Sequence, residues 1–335
     1  MKAIEKIVGT NEFSHFEIKG DDICFIDKNN GLNVIDLYTF KLKYIIPLEK
    51  CFYYETDDIY IYVYMKENGI YRVENGELKP YWKSKYKSNS IFNNYFIGRQ
   101  YDNDTNTYSI ALYDRITKNM IWQDNHREDR SIITVCDNLF IADWFKNPTY
   151  IENIDLQTGK IMWKVNFEQK VSGKILKDRE TFIIPLKNNH LLGVNAQIGE
   201  KLWELEDCFF DHYLDGNTGL MYGYGNDRFD IVDVKNGKKL LQKTLSGSME
   251  KYEISPDQNM NVLAGDYLYF VSNWRVSAKF GKINIHTQEI EFVQKLIEKE
   301  KGRGIILIKQ IKYHNGRLYI LDSVGTLHIF EDKCI

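Results

Sequence analysis

Apolar residues in this chain fall in short runs, each rich in β-branched and aromatic side chains and each bounded by Asn, Asp or Gly. The clearest runs lie at 23–26, 59–64, 95–98, 139–144, 181–186, 220–224 and 267–271. A further short run precedes most of them, as 132–135 precedes 139–144. Evenly spaced runs punctuated by turn formers predict consecutive antiparallel strands.

Downstream of each run, a polar residue is followed eight positions later by a large apolar one. The pairs are Asp36 and Tyr44, Glu74 and Trp82, Asp114 and Trp122, Asp155 and Trp163, Asn195 and Trp203, Asp233 and Leu241, and Asn284 and Phe292. Thr recurs three positions after the polar residue (Thr39, Thr117, Thr158, Thr287) and Gly four positions after it (Gly159, Gly199, Gly237). Gly supplies positive φ without steric cost, and Asp or Asn bonds backbone amides two residues on. Each copy therefore predicts strand, tight turn, strand. With the two runs upstream this makes four strands per unit, and a unit every ~40 residues is the pattern of a β-propeller blade.

Two copies, Ile154-Asp155-Leu156-Gln157-Thr158-Gly159-Lys160-Ile161-Met162-Trp163 and Val194-Asn195-Ala196-Gln197-Ile198-Gly199-Glu200-Lys201-Leu202-Trp203, resemble the tryptophan docking motif of PQQ-like (quinoprotein-type) propeller repeats. The resemblance covers most of the chain, with Leu241, Phe292 and Tyr44 replacing Trp and Gly often missing. It implies that the indoles of Trp82, Trp122, Trp163 and Trp203 wedge between neighbouring blades and bond the adjoining backbone. Enzymes of that family are exported, hold the quinone over the central channel and use a calcium-bound carboxylate as base. This chain is far shorter, begins without an export signal and lacks the adjacent-cysteine pair that some of them carry. The resemblance thus implies the fold without the dehydrogenase.

In order, the units run through about residue 47 and over about 50–84, 88–126, 131–207 (two units), 208–246 and 250–297. Asn29-Asn30-Gly31 forms a hairpin turn in the first. The eighth holds only three strands, near 304–311, 317–321 and 326–330, and the chain stops where its fourth should start. The spare alternation at 4–8 supplies that strand, removing both sheet edges and tying the two ends together. The expected fold is all-β: one propeller domain over 1–335, with eight four-stranded antiparallel blades closed by the N-terminal strand. Seven blades is the alternative, because the last two units are the least regular.

Composition is that of an ordinary globular protein, 43% hydrophobic and 27% charged. A net charge of −3 argues against a nucleic-acid binder, which carries a basic excess. The start, Met1 to Thr10, has no apolar core, and no run approaches a membrane span, so neither a signal peptide nor a membrane segment is expected. Cys24, Cys51, Cys136, Cys208 and Cys334 are odd in number and scattered, which reads as free thiols in the cytoplasm.

Site chemistry leaves few candidates. Cys208 and His212 stand four apart, which on a strand puts them on one face but about 13 Å distant. The seven histidines (His15, His126, His190, His212, His286, His314, His328) show no metal-ligand spacing. The segment opening Asp102-Asn103-Asp104 resembles the start of a calcium loop but lacks its sixth-position Gly and twelfth-position Glu. Gly223-Tyr224-Gly225 and Gly302-Arg303-Gly304 lack the helix that would make a phosphate cradle. The mixed-charge cluster at 298–303 reads as a solvated loop. Aromatic stretches remain: Phe52-Tyr53-Tyr54-Glu55 and Cys208-Phe209-Phe210-Asp211 begin units near the channel mouth, while Trp144-Phe145 and Asn273-Trp274-Arg275 fall at hairpin tips. Tip aromatics with Arg have the composition of protein-binding hot spots, and packing of the blades is the competing role.

No catalytic, cofactor-binding or metal residue is assigned, and no cofactor is expected. The leading reading is a non-enzymatic cytoplasmic platform for another protein, with a bacterial immunity protein that neutralises a toxin as one form of it. The alternative is a hydrolase or lyase working in the channel mouth; a PQQ-type dehydrogenase ranks behind both. An outer-membrane assembly lipoprotein of the same fold would need a lipobox Cys near the start, and the first Cys is Cys24. A deep polar pocket joining several blades would favour the enzyme, and a broad face with exposed apolar groups the platform.

Overall fold

The structure is a computed structural model. It describes the chain except residues 9–14, 28, 49–50, 58–59, 66–68, 84–87, 103, 105–106, 128–130, 144–148, 209–211, 226, 274–276, 297–305 and 333–335. Eight antiparallel sheets of four strands follow one another. Seven are consecutive meanders, blades 1 to 7, over 16–47, 51–83, 88–127, 131–167, 176–205, 212–244 and 256–295. Blade 8 takes Ile308–His314, Arg317–Asp322 and Thr326–Glu331, and its outer strand is the N-terminal Lys2–Val8. The eight-bladed count and the closure expected from the spare strand both hold.

Hydrophobic patterning explains which strand lies where. Second and third strands, such as Thr181–Leu186 and Thr149–Ile154, are buried along their whole length because both faces meet neighbouring blades. Outer strands alternate, as in Lys238–Thr244, with one face to the blades and one to solvent. The core is accordingly divided into clusters that span blade interfaces. One joins Phe140, Ile151 and Trp163 of blade 4 to Phe182, Ile184 and Val194 of blade 5. Another joins Phe16, Phe25 and Leu37 of blade 1 to Tyr319, Leu321 and Ile329 of blade 8, which closes the ring.

The eight-residue motif is a turn with a fixed hydrogen-bond plan. The Asp155 carboxylate accepts from Gln157 N (3.0 Å), Thr158 N (2.7 Å) and Thr158 Oγ1 (2.7 Å), while Gly159 N donates to Asp155 O (2.8 Å). Asp36 and Asp114 repeat this arrangement with Thr39 and Thr117. These bonds pull the three carboxyls below the ordinary Asp range, Asp36 to about 2. Glu74 departs from the plan: a two-residue Asn75-Gly76 turn links its strands, and its carboxylate pairs with Arg72 and Lys79 instead.

Each turn also receives the docking residue of the blade before it. Trp122 Nε1 donates to Leu156 O (3.0 Å), Trp163 Nε1 to Ala196 O (3.0 Å) and Trp203 Nε1 to Val234 O (2.9 Å). In all three the accepting carbonyl directly follows the turn's Asp or Asn. Trp82 is the correction. It wedges against Phe96 and Tyr113 of blade 3, but the matching carbonyl, Arg115 O, accepts from the preceding residue, Tyr81 Oη (2.7 Å). At the seam between blades 8 and 1 the carbonyl of Leu37 accepts from Arg317 Nη1 (3.0 Å).

A β-bulge precedes each of the seven docking positions, and the outer strand of blade 8 has one as well. The unpaired residue is Lys43, Tyr81, Ile121, Met162, Leu202, Leu240 or Glu291 in blades 1 to 7, and Ile4 in blade 8. The extra residue breaks the two-residue alternation, so in blades 4 to 6 the docking residue turns inward while Met162, Leu202 or Leu240 is left outside; Tyr81, Ile121 and Ile4 stay packed against their neighbours. The sequence reading also omits the helix Ser246–Tyr252 ahead of blade 7, which buries Met249 among Tyr224, Phe229 and Phe270 and ends on Glu253 at φ 50°.

Candidate functional site

First strands line the channel of a propeller, and those of blades 1 to 3 border a cavity of about 750 Å³ together with turns of the same face. Its walls include His15 and Glu17 from blade 1, Tyr54, Glu55 and Asp57 from blade 2, and Arg115 from blade 3. Polar positions on the inner strand Cys51–Thr56 alternate with those packed on blade 1. Tyr54 donates its hydroxyl to Cys24 O (2.7 Å), and the next residue, Glu55, turns the other way and accepts from Tyr64 Oη (2.7 Å) and Ile91 N (2.8 Å) through Oε2.

Each charge has a distinct setting. Arg115 pairs with Asp57 across the blade 2–3 seam, and Lys312 of blade 8 pairs with Glu17. Burial raises the pKa of Glu55, which its two hydrogen bonds offset only in part. His15 lies face to face on Tyr54, ring centroids 4.9 Å apart and planes 6° from parallel. Its pKa is lowered, first by burial, with Lys312 adding and Glu17 opposing. Of the stretch 52–55 singled out in the sequence, Tyr54 and Glu55 lie in the cavity wall. His15, Asp57 and Arg115 were missed, because partners drawn from three blades share no local motif.

The second candidate is the outer rim on the side of the same turns. Met162, Leu202 and Leu240 occupy the bulge of blades 4, 5 and 6 and are 55%, 48% and 50% exposed. Ile161, Ile198, Met120 and Ile116, also exposed, extend the set through blades 3 to 5. A groove of about 560 Å³ opens beside it between blades 5 and 6, with Leu202, Arg179, Glu180 and Lys235 in its walls. Lys160, Lys201, Lys238 and Lys239 flank these side chains in the sequence.

The remaining sequence candidates fall elsewhere. Cys208 is buried; its thiol donates to Glu206 O (3.8 Å), and burial raises its pKa to about 11. His212 begins the first strand of blade 6, and its side chain lies outside the described residues, as do Phe209, Phe210 and Asp211. Asn273 stitches blade 7 to blade 8 by bonding both backbone groups of Ile308 (2.8 and 3.1 Å), so packing is its role. Trp144, Phe145, Trp274, Arg275 and the cluster 298–303 lie outside the described residues. Asp102 caps its hairpin by accepting from Asp104 N (2.9 Å). Among the described residues no group of three or more His, Cys, Asp or Glu is placed to hold a metal, and no helix is long and apolar enough to cross a membrane.

With that geometry in view, comparison with known proteins is decisive for the family. The model of the family described as outer membrane protein assembly factor BamB matches residues 106–325, well over half of the chain. The chain belongs to that family. Solved structures agree on the BamB-type fold. BamB from Moraxella catarrhalis aligns with 98% of this chain and 99% of its own at 12% identity and a TM-score of 0.64. The computationally designed Ika8 protein aligns with 99% and 100% at 8% identity and a TM-score of 0.71. A europium-containing methanol dehydrogenase aligns over 84% of this chain and 77% of its own at 10% identity and a TM-score of 0.58. At such identities the likeness speaks for the propeller and not for activity. No curated protein sequence matches the chain.

Proposed function

We propose that this BamB-type propeller is a protein-binding platform whose docking surface is the outer rim of blades 3 to 6. The observation that carries the reading is the placement of Met162, Leu202 and Leu240 at the bulge of three consecutive blades, where one backbone feature exposes an apolar side chain three times in register. Apolar groups held in water favour association, by roughly 25 cal/mol for each Å² covered. A closed scaffold adds little ordering cost on binding, which suits a platform.

The test is photo-cross-linking in the native host from a cross-linking amino acid at position 202, followed by mass spectrometry. A single stoichiometric partner is expected, and the double variant M162E/L240E should lose it. Val324, exposed on a second-to-third-strand turn of blade 8, serves as control: V324E should capture the partner as the unaltered chain does. Capture that survives M162E/L240E sinks the rim as the docking surface.

In its fuller form the proposal makes the chain a cytoplasmic bacterial immunity protein, with the captured partner a toxin. The unpaired thiols of Cys24, Cys136 and Cys208 support a reducing compartment, and the toxin-blocking role rests on analogy between folds. Making the partner alone should then arrest growth, and making both together should restore it. A partner that leaves growth unchanged refutes the immunity role while leaving the platform standing. The enzymatic alternative draws on the polar cavity of blades 1 to 3; turnover abolished by E55Q would establish it.

A further inference from the structure

The channel cavity has a charge arrangement that the outer rim does not use. Glu17 is matched by Lys312 and Asp57 by Arg115, so two of its three carboxylates already face a cation. Glu55 is different. Its partners are a phenol and a backbone amide, both neutral, and among the described residues no cation pairs with it. His15 does not fill that place: its ring is stacked on Tyr54, and among the described residues it forms no ion pair with Glu55. A half-buried carboxylate held by neutral donors alone is costly to keep ionised, and a cation in the cavity removes that cost.

The rest of the lining fits a cation that carries hydroxyl groups. Thr56 and Asn94 present short polar side chains, while the Asn93 amide donates to Cys136 O and Asp137 Oδ1, and the stacked pair His15 and Tyr54 offers an aromatic wall. A volume of about 750 Å³ lies within the range of sites for small organic ligands. We propose that this cavity binds a small hydroxylated amine, with Glu55 as the counter-ion of the ammonium and Asn94 and Thr56 as partners of the hydroxyls. The assignment stands apart from the platform reading, since the cavity lies on the channel side of blades 1 to 3.

Isothermal titration of the full chain at pH 7 with glucamine, sorbitol and gluconate tests it. These three probes carry an ammonium, a hydroxyl and a carboxylate on nearly the same polyol. Glucamine should bind about tenfold or more tighter than sorbitol, and gluconate should bind least. E55Q keeps an acceptor for Tyr64 and Ile91 while removing the charge, and it should bring glucamine down to the level of sorbitol. Should E55Q fail to fold, the three-probe ranking on the unaltered chain still decides. Equal binding of glucamine and sorbitol overturns the proposal. So does a preference for gluconate, which would assign the site to an anion on Arg115, and so does the failure of all three to bind.

Discussion

At the scale of single residues, the turn glycines do two jobs, and the sequence reveals only one. Gly159, Gly199 and Gly237 take positive φ (69°, 74° and 64°), but so do Phe40, Lys118 and Gln288 at the same turn position (56°, 61° and 55°). What separates the two groups is the neighbour. A Cβ on Gly159, Gly199 or Gly237 would sit 2.8, 2.7 or 2.4 Å from the indole of Trp122, Trp163 or Trp203 in the preceding blade. Where no indole arrives, a side chain fills the gap: Lys118 lies 4.0 Å from the Tyr81 ring centroid, and Arg317 lies 5.2 Å from that of Phe40. Gly199→Ala therefore combines left-handed strain of about 1–2 kcal/mol with overpacking of about 1–3 kcal/mol. Urea denaturation should show a loss of about 2–5 kcal/mol. A loss below about 0.5 kcal/mol would mean that Trp163 does not press on this turn.

At the scale of elements, the outer strands carry most of what pattern reading could not see. A bulge has no signature in residue types, so the alternation of Ile161-Met162-Trp163 gives no warning that Met162 and Trp163 separate, one outward and one inward. The N-terminal strand illustrates the reverse case, an element legible from bookkeeping alone. Blade 8 lacked a strand and residues 4–8 had no partner; Lys2–Val8 now pairs with Thr326–Glu331, and Ile4 and Ile7 pack beside Leu327 and Ile329. Deleting residues 2–8 should cost about 2–4 kcal/mol, the worth of two half-buried Ile side chains and a ladder of hydrogen bonds. Thermal unfolding and amide exchange of Thr326–Glu331 would register it. Unchanged exchange there would contradict the closure.

At the scale of the whole molecule, stability and acid response are properties of a repeated design. Three turns use an Asp whose folded pKa lies below its unfolded value. A depressed carboxyl pKa adds stability above the unfolded pKa near 3.9, and that stability is lost as pH falls toward the folded value, about 2 for Asp36. Chemical denaturation between pH 5 and pH 2 should show stability declining over that interval. The triple variant D36N/D114N/D155N, less stable at pH 5, should show a flatter decline. An equally steep decline in the variant would place the acid sensitivity elsewhere.

How much could be read beforehand follows from the range of the interactions involved. Blade number, turn positions, the four Trp wedges and three of their four backbone bonds were legible, because each blade is built from contacts between strands close in the chain and the design repeats. The chain order also showed that its two ends must meet. The channel cavity was not legible, because His15, Glu55 and Arg115 are drawn together from three separate units and nothing local marks them as neighbours. The exposed set of Met162, Leu202 and Leu240 was hidden for a related reason. In the sequence they look like core residues, and only the bulge that admits the next side chain to the interface turns them out to solvent. Short-range alternation and turn chemistry thus determined the propeller, while the packing of blade against blade decided which side chains were left over for function.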